Sequence, residues 1–136
     1  MWWRVGMPSA PDGGMTTETK RPGAHQFVAL EIAVQIVVAL RDAVGVVRRH
    51  DVDLAKQIVR SASSIAANVG EGRRRVGRDR LHFFRIAAGS AEETRVHLRV
   101  ELAWGWLKAD HVEPAFALID RELALLWGLT HRVDRL

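Results

Sequence analysis

Cysteine is missing from this sequence of 136 residues, and lysine is scarce. The absence of cysteine excludes disulfides, thiolate metal sites and cysteine nucleophiles. Lysine stands only at Lys20, Lys56 and Lys108, so arginine supplies most of the positive charge behind the net charge of +4. No apolar run approaches the roughly 20 residues that a membrane-spanning helix needs, and the N-terminus lacks the apolar core of a signal peptide. We therefore expect a cytoplasmic protein.

Proline is concentrated at one end of the chain. Three of the 4 prolines lie within residues 1–24, together with glycines and small polar residues. This composition is typical of a disordered leader. Met7 and Met15 also lie there, so a start codon downstream of the first is an equal alternative. We expect residues 25–136 to form one domain, because a chain of this length buries about two thirds of its unfolded surface.

Helical periodicity covers the rest of the chain, and no strand is predicted. Four segments are expected to be helical, at about residues 25–49, from 52 or 54 to 70, 78–108 and 111–133. The connections are short, so consecutive helices should be antiparallel neighbours. The sequence therefore predicts an all-α protein, an up-down four-helix bundle. The first and fourth helices are apolar around more of their circumference than one bundle can bury, which favours a homo-oligomer.

Several residues mark the expected helix ends and contacts. Asp51 or Asp53 is the expected N-cap of the second helix. Gly70 and Gly72 are read as its C-terminal stop. Gly89 lies in the middle of the third helix, where glycine costs about 1 kcal/mol relative to alanine. We attribute Gly89 to a close approach between helices.

Enzymatic sites are not indicated. A di-metal carboxylate bundle needs two Glu-x-x-His pairs, whereas Glu93 and His97 are four positions apart and have no second copy. The glycines near position 72 lack the Gly-Lys-Ser/Thr ending and the preceding strand of a phosphate-binding loop. The 6 histidines are scattered, and each is expected to be a solvated surface residue. We predict no catalytic residue, no metal site and no cofactor.

Arginine is clustered between residues 73 and 85. Six arginines accompany one acid, Asp79, so this segment carries +5 while the whole chain carries +4. Guanidinium groups bind phosphates and remain charged. The alternative is a solvated loop balanced by acids of a neighbouring subunit. No aromatic residue lies between positions 73 and 80, which argues against base stacking there. The predicted nucleic-acid-binding residues, called the arginine cluster below, are Arg73, Arg74, Arg75, Arg78, Arg80 and Arg85.

Polar residues inside the second and third helices form a second group. Four of them recur on one side of the second helix, and two lie on the third. A buried polar network between the two helices would set their register, because buried polar groups must be paired. We favour this structural role over catalysis. The predicted network consists of Arg60, Ser64, Asn68, Glu71, Ser90 and Glu93.

A family resemblance rests on residues of the second and third helices. They are Arg60-Ser61-Ala62, Ser64-Ile65, Asn68-Val69, Glu71-Gly72-Arg73, Phe84, Ile86-Ala87, Gly89-Ser90 and Glu93. The sequence resembles the four-helix bundle family of ribosomal RNA intervening-sequence proteins, which includes the accessory variability proteins (accessory variability determinants) of diversity-generating retroelements. The match covers about residues 25–133. Gly70 replaces a usual alanine, and Ala91 and Thr94 replace larger apolar residues, so we expect looser helix packing there.

The resemblance implies a left-handed antiparallel bundle that assembles into a ring, with homopentamers typical. It also implies a basic surface that contacts nucleic acid, a reverse-transcriptase partner in the retroelement branch, and no catalytic activity. The leading hypothesis is a non-enzymatic homo-oligomeric accessory factor that binds RNA or DNA through the arginine cluster. The alternative is a protein-interaction scaffold, for example for a reverse transcriptase, without direct binding of nucleic acid.

Overall fold

Four helices make up the described part of the chain. The computed structural model describes residues 23–132. The helices are α1 (Ala24–Arg48), α2 (Val52–Arg73), α3 (Gly77–Ala103) and α4 (Ala109–Arg132), and residues 23–132 contain no strand. The prediction of an all-helical four-helix bundle is confirmed. The predicted disordered leader lies outside the described residues except for its last two positions, where Gly23 precedes α1 and Ala24 begins it.

The four helices enclose a common core. Each helix contacts the next along the chain, and α1 also contacts α4. Buried side chains recur at intervals of three or four positions, which places them on one face of each helix. The largest fully buried apolar residues are Phe84, Ile32, Ile36, Leu40, Ile58, Ile65, Leu98, Ile119, Leu126 and Val47. Of the helices in residues 23–132, none is long and apolar enough to cross a membrane.

The α1–α2 and α3–α4 connections are joined by aromatic rings. The Asp51 side chain accepts a hydrogen bond from the backbone N–H of Leu54 at 3.0 Å, so Asp51 is the N-cap of α2. The ring of His50 stacks on Trp106 at 5.2 Å, and Trp106 stacks on Trp104 at 5.7 Å.

We predicted that the third helix would continue to residue 108, but it ends at Ala103. The chain turns at Gly105, whose φ of 81° lies in the left-handed region that favours glycine.

The end of α2 differs from the prediction. Gly70 and Gly72 do not stop the helix, because α2 continues to Arg73 and neither glycine has a positive φ. Gly72 serves packing instead. A Cβ atom at this position would lie 2.5 Å from a ring carbon of Phe84, which is itself buried. The missing side chain of Gly72 therefore lets the Phe84 ring fit against α2.

Two glutamates lie in the core. Glu101 and Glu122 are fully buried, and within residues 23–132 none of their four carboxylate oxygens has a hydrogen-bond partner. Burial raises the pKa of Glu122 from 4.5 to about 8, and burial also raises the pKa of Glu101. Glu122 follows the buried Ile119 by three positions and precedes Leu126 by four. The spacing of Glu122 from these two residues is that of a core position and can be seen in the sequence. A glutamate is nevertheless expected at the surface, so the position was not assigned to the core.

Candidate nucleic-acid interface

The arginine cluster lies around the α2–α3 connection. Arg73 is the last residue of α2, Arg74 and Arg75 form the connection, and the other three arginines lie in α3. The apolar Val76 beside them is also 77% exposed. The structure thus brings the six arginines to one part of the surface, but it gives them different surroundings.

Arg80 is held by the end of α2. Its Nε donates to the carbonyl oxygen of Gly72 at 3.1 Å, and its second guanidinium nitrogen, Nη2, donates to the carbonyl oxygen of Arg73 at 3.3 Å. The last carbonyls of a helix lack intrahelical partners and carry partial negative charge. Arg80 therefore caps α2, and its guanidinium has fewer N–H groups available for a phosphate.

Arg75 and Arg73 also have partners nearby. Arg75 forms ion pairs with Glu71 at 3.0 Å and Asp79 at 3.5 Å, and its guanidinium lies 5.1 Å from the centre of the Phe83 ring. Arg73 lies 5.7 Å from the centre of the Phe27 ring in α1. These exposed ion pairs are individually weak, but they offset the charge of Arg75.

The other three arginines provide the available positive charge. Arg74, Arg78 and Arg85 are exposed, and none of their side chains has a hydrogen bond or an ion pair with another residue in the range 23–132. Arg78 and Arg85 are seven positions apart on α3, about 10 Å along one face of the helix. Arg74, in the connection, precedes Arg78 by four positions, and the three residues are called the line of exposed arginines below.

Three residues of the predicted polar network are joined by hydrogen bonds, and the other three lie apart from them. The hydroxyl oxygens of Ser64 and Ser90 lie 2.8 Å apart and join α2 to α3. Asn68 Nδ2 donates to the Ser64 carbonyl oxygen at 2.8 Å and to its hydroxyl oxygen at 2.9 Å. The remaining three residues lie apart from this group. Glu71 pairs with Arg75 at 3.0 Å, and Glu93 pairs with His97 at 3.3 Å. Arg60 is exposed, and its side chain has no hydrogen bond to the other five within the described range.

Two residues of the helix contact were missed. Thr94 Oγ1 lies 2.8 Å from Ser61 Oγ and 2.8 Å from the carbonyl oxygen of Ser90. Both side chains are buried. The expectation that Thr94 loosens the packing was wrong, because its hydroxyl forms a further link between α3 and α2. The sequence feature that could have identified this contact is a pair of hydroxyl-bearing residues on each helix. The pairs are Ser61 with Ser64 on α2 and Ser90 with Thr94 on α3.

No cluster of three or more metal-ligating side chains occurs in residues 23–132. Guanidinium groups such as those of the arginine cluster can bind anions. The Ser64–Ser90 and Ser61–Thr94 hydroxyl contacts join α2 to α3.

The sequence profile of one family, described as 23S rRNA-intervening sequence protein, matches residues 27–128. The structure is similar to a crystal structure from Bacteroides thetaiotaomicron of a protein with unknown function in the S23 ribosomal protein family. That likeness has a TM-score of 0.71 and 21% identity, and it covers 78% of this chain and 97% of that chain. At this identity it shows the fold alone. No curated protein matches the chain.

Proposed function

The chain belongs to the family of 23S rRNA-intervening sequence proteins, and from this premise we propose that it is a non-enzymatic accessory factor that binds RNA or DNA. The observation that carries the proposal is the line of exposed arginines Arg74, Arg78 and Arg85, which have no ion-pair partner within residues 23–132. Arg73 lies beside this line and adds to its positive potential, whereas Glu71 and Asp79 offset the charge of Arg75. Arg80 supports the surface by capping α2.

Binding of this kind has a measurable signature in salt. Each neutralised phosphate releases condensed counterions, and the slope of log affinity against log salt concentration is about −0.9 per phosphate on a duplex. Three contacting arginines therefore predict a slope of about −3. Because contacts to phosphates carry little sequence information, discrimination between sequences should be weak.

Reversal of the three exposed arginines should weaken nucleic-acid binding. For the variant Arg74→Glu/Arg78→Glu/Arg85→Glu we expect at least tenfold lower affinity for an RNA hairpin and for a DNA duplex, and a salt slope close to zero. The side chains are exposed, so helicity and the thermal midpoint should not fall. Fluorescence anisotropy across a salt series, with nuclease-treated protein, measures both affinity and slope.

The matched control is Arg48→Glu/Arg49→Glu/Arg60→Glu, which changes the net charge equally at exposed positions elsewhere on the bundle. This variant should retain most of the affinity. Equal losses in the two triple variants would show an effect of net charge alone and would end the site assignment. Unchanged affinity in the first variant would favour the protein-interaction scaffold.

The proposed functional unit is a homo-oligomer of an antiparallel bundle, and the family resemblance points to a pentameric ring. Arg73 at the end of α2 lies over Phe27 near the start of α1, which supports antiparallel packing of that pair. Val37 and Val59 are 37% and 44% exposed. They line a mainly apolar groove of about 270 Å³ between α1 and α2. Burial of this face would complete the apolar contacts that one bundle leaves open.

Charge placed on this face should dissociate the oligomer. For Val37→Glu/Val59→Glu we expect the mass from light scattering to fall to the 15.2 kDa of one chain, because two carboxylates would be desolvated at each contact. Val52→Glu/Val96→Glu, at exposed positions outside the groove, should leave the mass of the wild type unchanged. A wild-type protein that is monomeric at micromolar concentration would contradict the oligomer itself.

A further inference from the structure

A second groove opens between α3 and α4, next to the line of exposed arginines. It encloses about 380 Å³, and its lining includes Arg85 and Gly89 from α3 and Trp127 and His131 from α4. Of its lining residues, only Arg85 has a role in the function proposed above. It combines a concave shape, an aromatic ring and a cation, which are the features of a ligand site.

Trp127 is the main apolar surface of the groove. Its side chain is 61% exposed, which is unusual for the largest residue type. The imidazole of His131 stacks on the indole at 4.1 Å with an interplanar angle of 15°, and its Nδ1 lies 2.8 Å from the Trp127 carbonyl oxygen. The indole is thus supported by a neighbouring ring while most of its surface stays open to a ligand.

Arg85 connects the groove to the arginine cluster. It lines the groove and follows Arg78 on the same face of α3, about 10 Å along the axis. A polymer chain held by Arg74 and Arg78 would therefore reach the groove at Arg85. Glu92, which also lines the groove, lies a further two turns along and is paired with Arg95 at 3.7 Å. Positive charge is therefore concentrated at the end of the groove nearest the cluster.

Gly89 leaves room in the groove. We predicted that this glycine serves a close approach between helices, but that was wrong, because a Cβ atom built at Gly89 would have no neighbour within 4 Å. The residue is exposed and has ordinary helical backbone angles. A side chain at this position would project into open space at the groove and would displace a ligand rather than a neighbouring helix.

We infer that the groove binds an unpaired nucleobase of a single-stranded RNA or DNA segment, with the base stacked on Trp127 and its phosphate bound by Arg85. This inference rests on the proposed function and names its substrate more closely. Stacking of bases on aromatic side chains beside a basic track is how single strands are bound without sequence preference. A base within a duplex is already stacked on its neighbours and would not enter the groove.

Two probes distinguish this inference from the proposed function. One is an oligoadenylate RNA of about 12 nucleotides, within the range of single-strand sites. The other is an RNA duplex with the same number of phosphates. Trp127→Ala should weaken binding of the single strand about tenfold, which corresponds to the loss of one stacked base. The salt slope should not change, because no charge is removed, and the duplex affinity should stay within about twofold of wild type. Trp127→Phe should retain most of the single-strand affinity.

A second variant tests the groove without removing a contact. Gly89→Leu should lower single-strand affinity to a similar degree, while its thermal midpoint should not fall, because leucine is the better helix former and meets no neighbouring atom. Gly45→Leu, at a glycine on α1 that is equally free of neighbours, should leave both affinities unchanged. If the duplex binds but Trp127→Ala and Gly89→Leu bind the single strand as wild type does, the groove inference is overturned and the proposed function stands. If the wild type binds neither probe at low salt, both are overturned.

Discussion

Replacement of Glu122 by glutamine is expected to stabilise the protein by roughly 3 kcal/mol more at pH 8 than at pH 5. The carboxyl group is fully buried on the core face of α4, and neither oxygen has a hydrogen-bond partner within residues 23–132. Burial raises its pKa from 4.5 to about 8, since an isolated charge is costly to remove from water.

The sign of the effect follows from proton binding. Between pH 4.5 and about 8 the unfolded chain has released a proton that the native chain keeps. The native state therefore binds more protons, and the free energy of unfolding falls as the pH rises through this window. Each pKa unit corresponds to about 1.4 kcal/mol. Glutamine does not titrate, so the Glu122→Gln variant lacks this part of the pH dependence.

Urea unfolding at fixed protein concentration, from pH 5 to pH 8, measures this difference. A constant concentration is needed because self-association would itself stabilise the native state. Glu113→Gln, at an exposed position on the same helix, should give a curve parallel to wild type. Glu101, whose pKa burial also raises, should contribute with the same sign. Parallel curves for Glu122→Gln and wild type would show that Glu122 is ionised or partnered in the native protein.

Alanine at Gly72 is expected to lower the free energy of unfolding by about 2 kcal/mol, whereas alanine at Gly70 should raise it by up to about 1 kcal/mol. Both glycines lie in α2 with helical angles, so both substitutions gain the same helix propensity. At Gly72 the new Cβ would lie 2.5 Å from the buried Phe84 ring, while at Gly70 it would meet nothing within 4 Å. The difference between the two variants therefore measures the steric clash.

Thermal and urea denaturation of the two single variants measure this difference. The clash predicts partial rescue by a smaller side chain. In Gly72→Ala/Phe84→Leu the loss of stability should be smaller than the sum of the losses in the two single variants, because the residues are in contact. Additive losses would show that Gly72 does not serve the packing of Phe84. Equal stability of Gly72→Ala and Gly70→Ala would also show that Gly72 does not serve the packing of Phe84.

Local chemistry explains which parts of the fold could be predicted. The capping carboxylate of Asp51 and the apolar spacing of α2 act over a few residues, so their effects can be predicted from the neighbouring sequence. The core role of Glu122 was not readable in this way. Its spacing is that of a core residue, but a glutamate is assigned to the surface by type, and only the packed helices show that water is excluded from it.

In the candidate nucleic-acid interface, too, some features are determined by the sequence and others by the tertiary structure. The sequence by itself determined that six arginines lie close together, because they are near neighbours in the chain. Only the folded structure decided that Arg80 caps α2 and that Arg75 is paired with Glu71 and Asp79. It also decided that the side chains of Arg74, Arg78 and Arg85 have no hydrogen bond or ion pair in residues 23–132.

The tertiary structure also determines what surrounds each glycine and where Trp127 lies. Gly72 and Gly89 are the same residue in similar helical surroundings, yet one faces the Phe84 ring and the other faces an open groove. Trp127 is distant from Arg85 along the chain, but packing of α4 against α3 places both at that groove. Periodicity and charge are properties of short segments, whereas the distance between two helices depends on how the whole core packs.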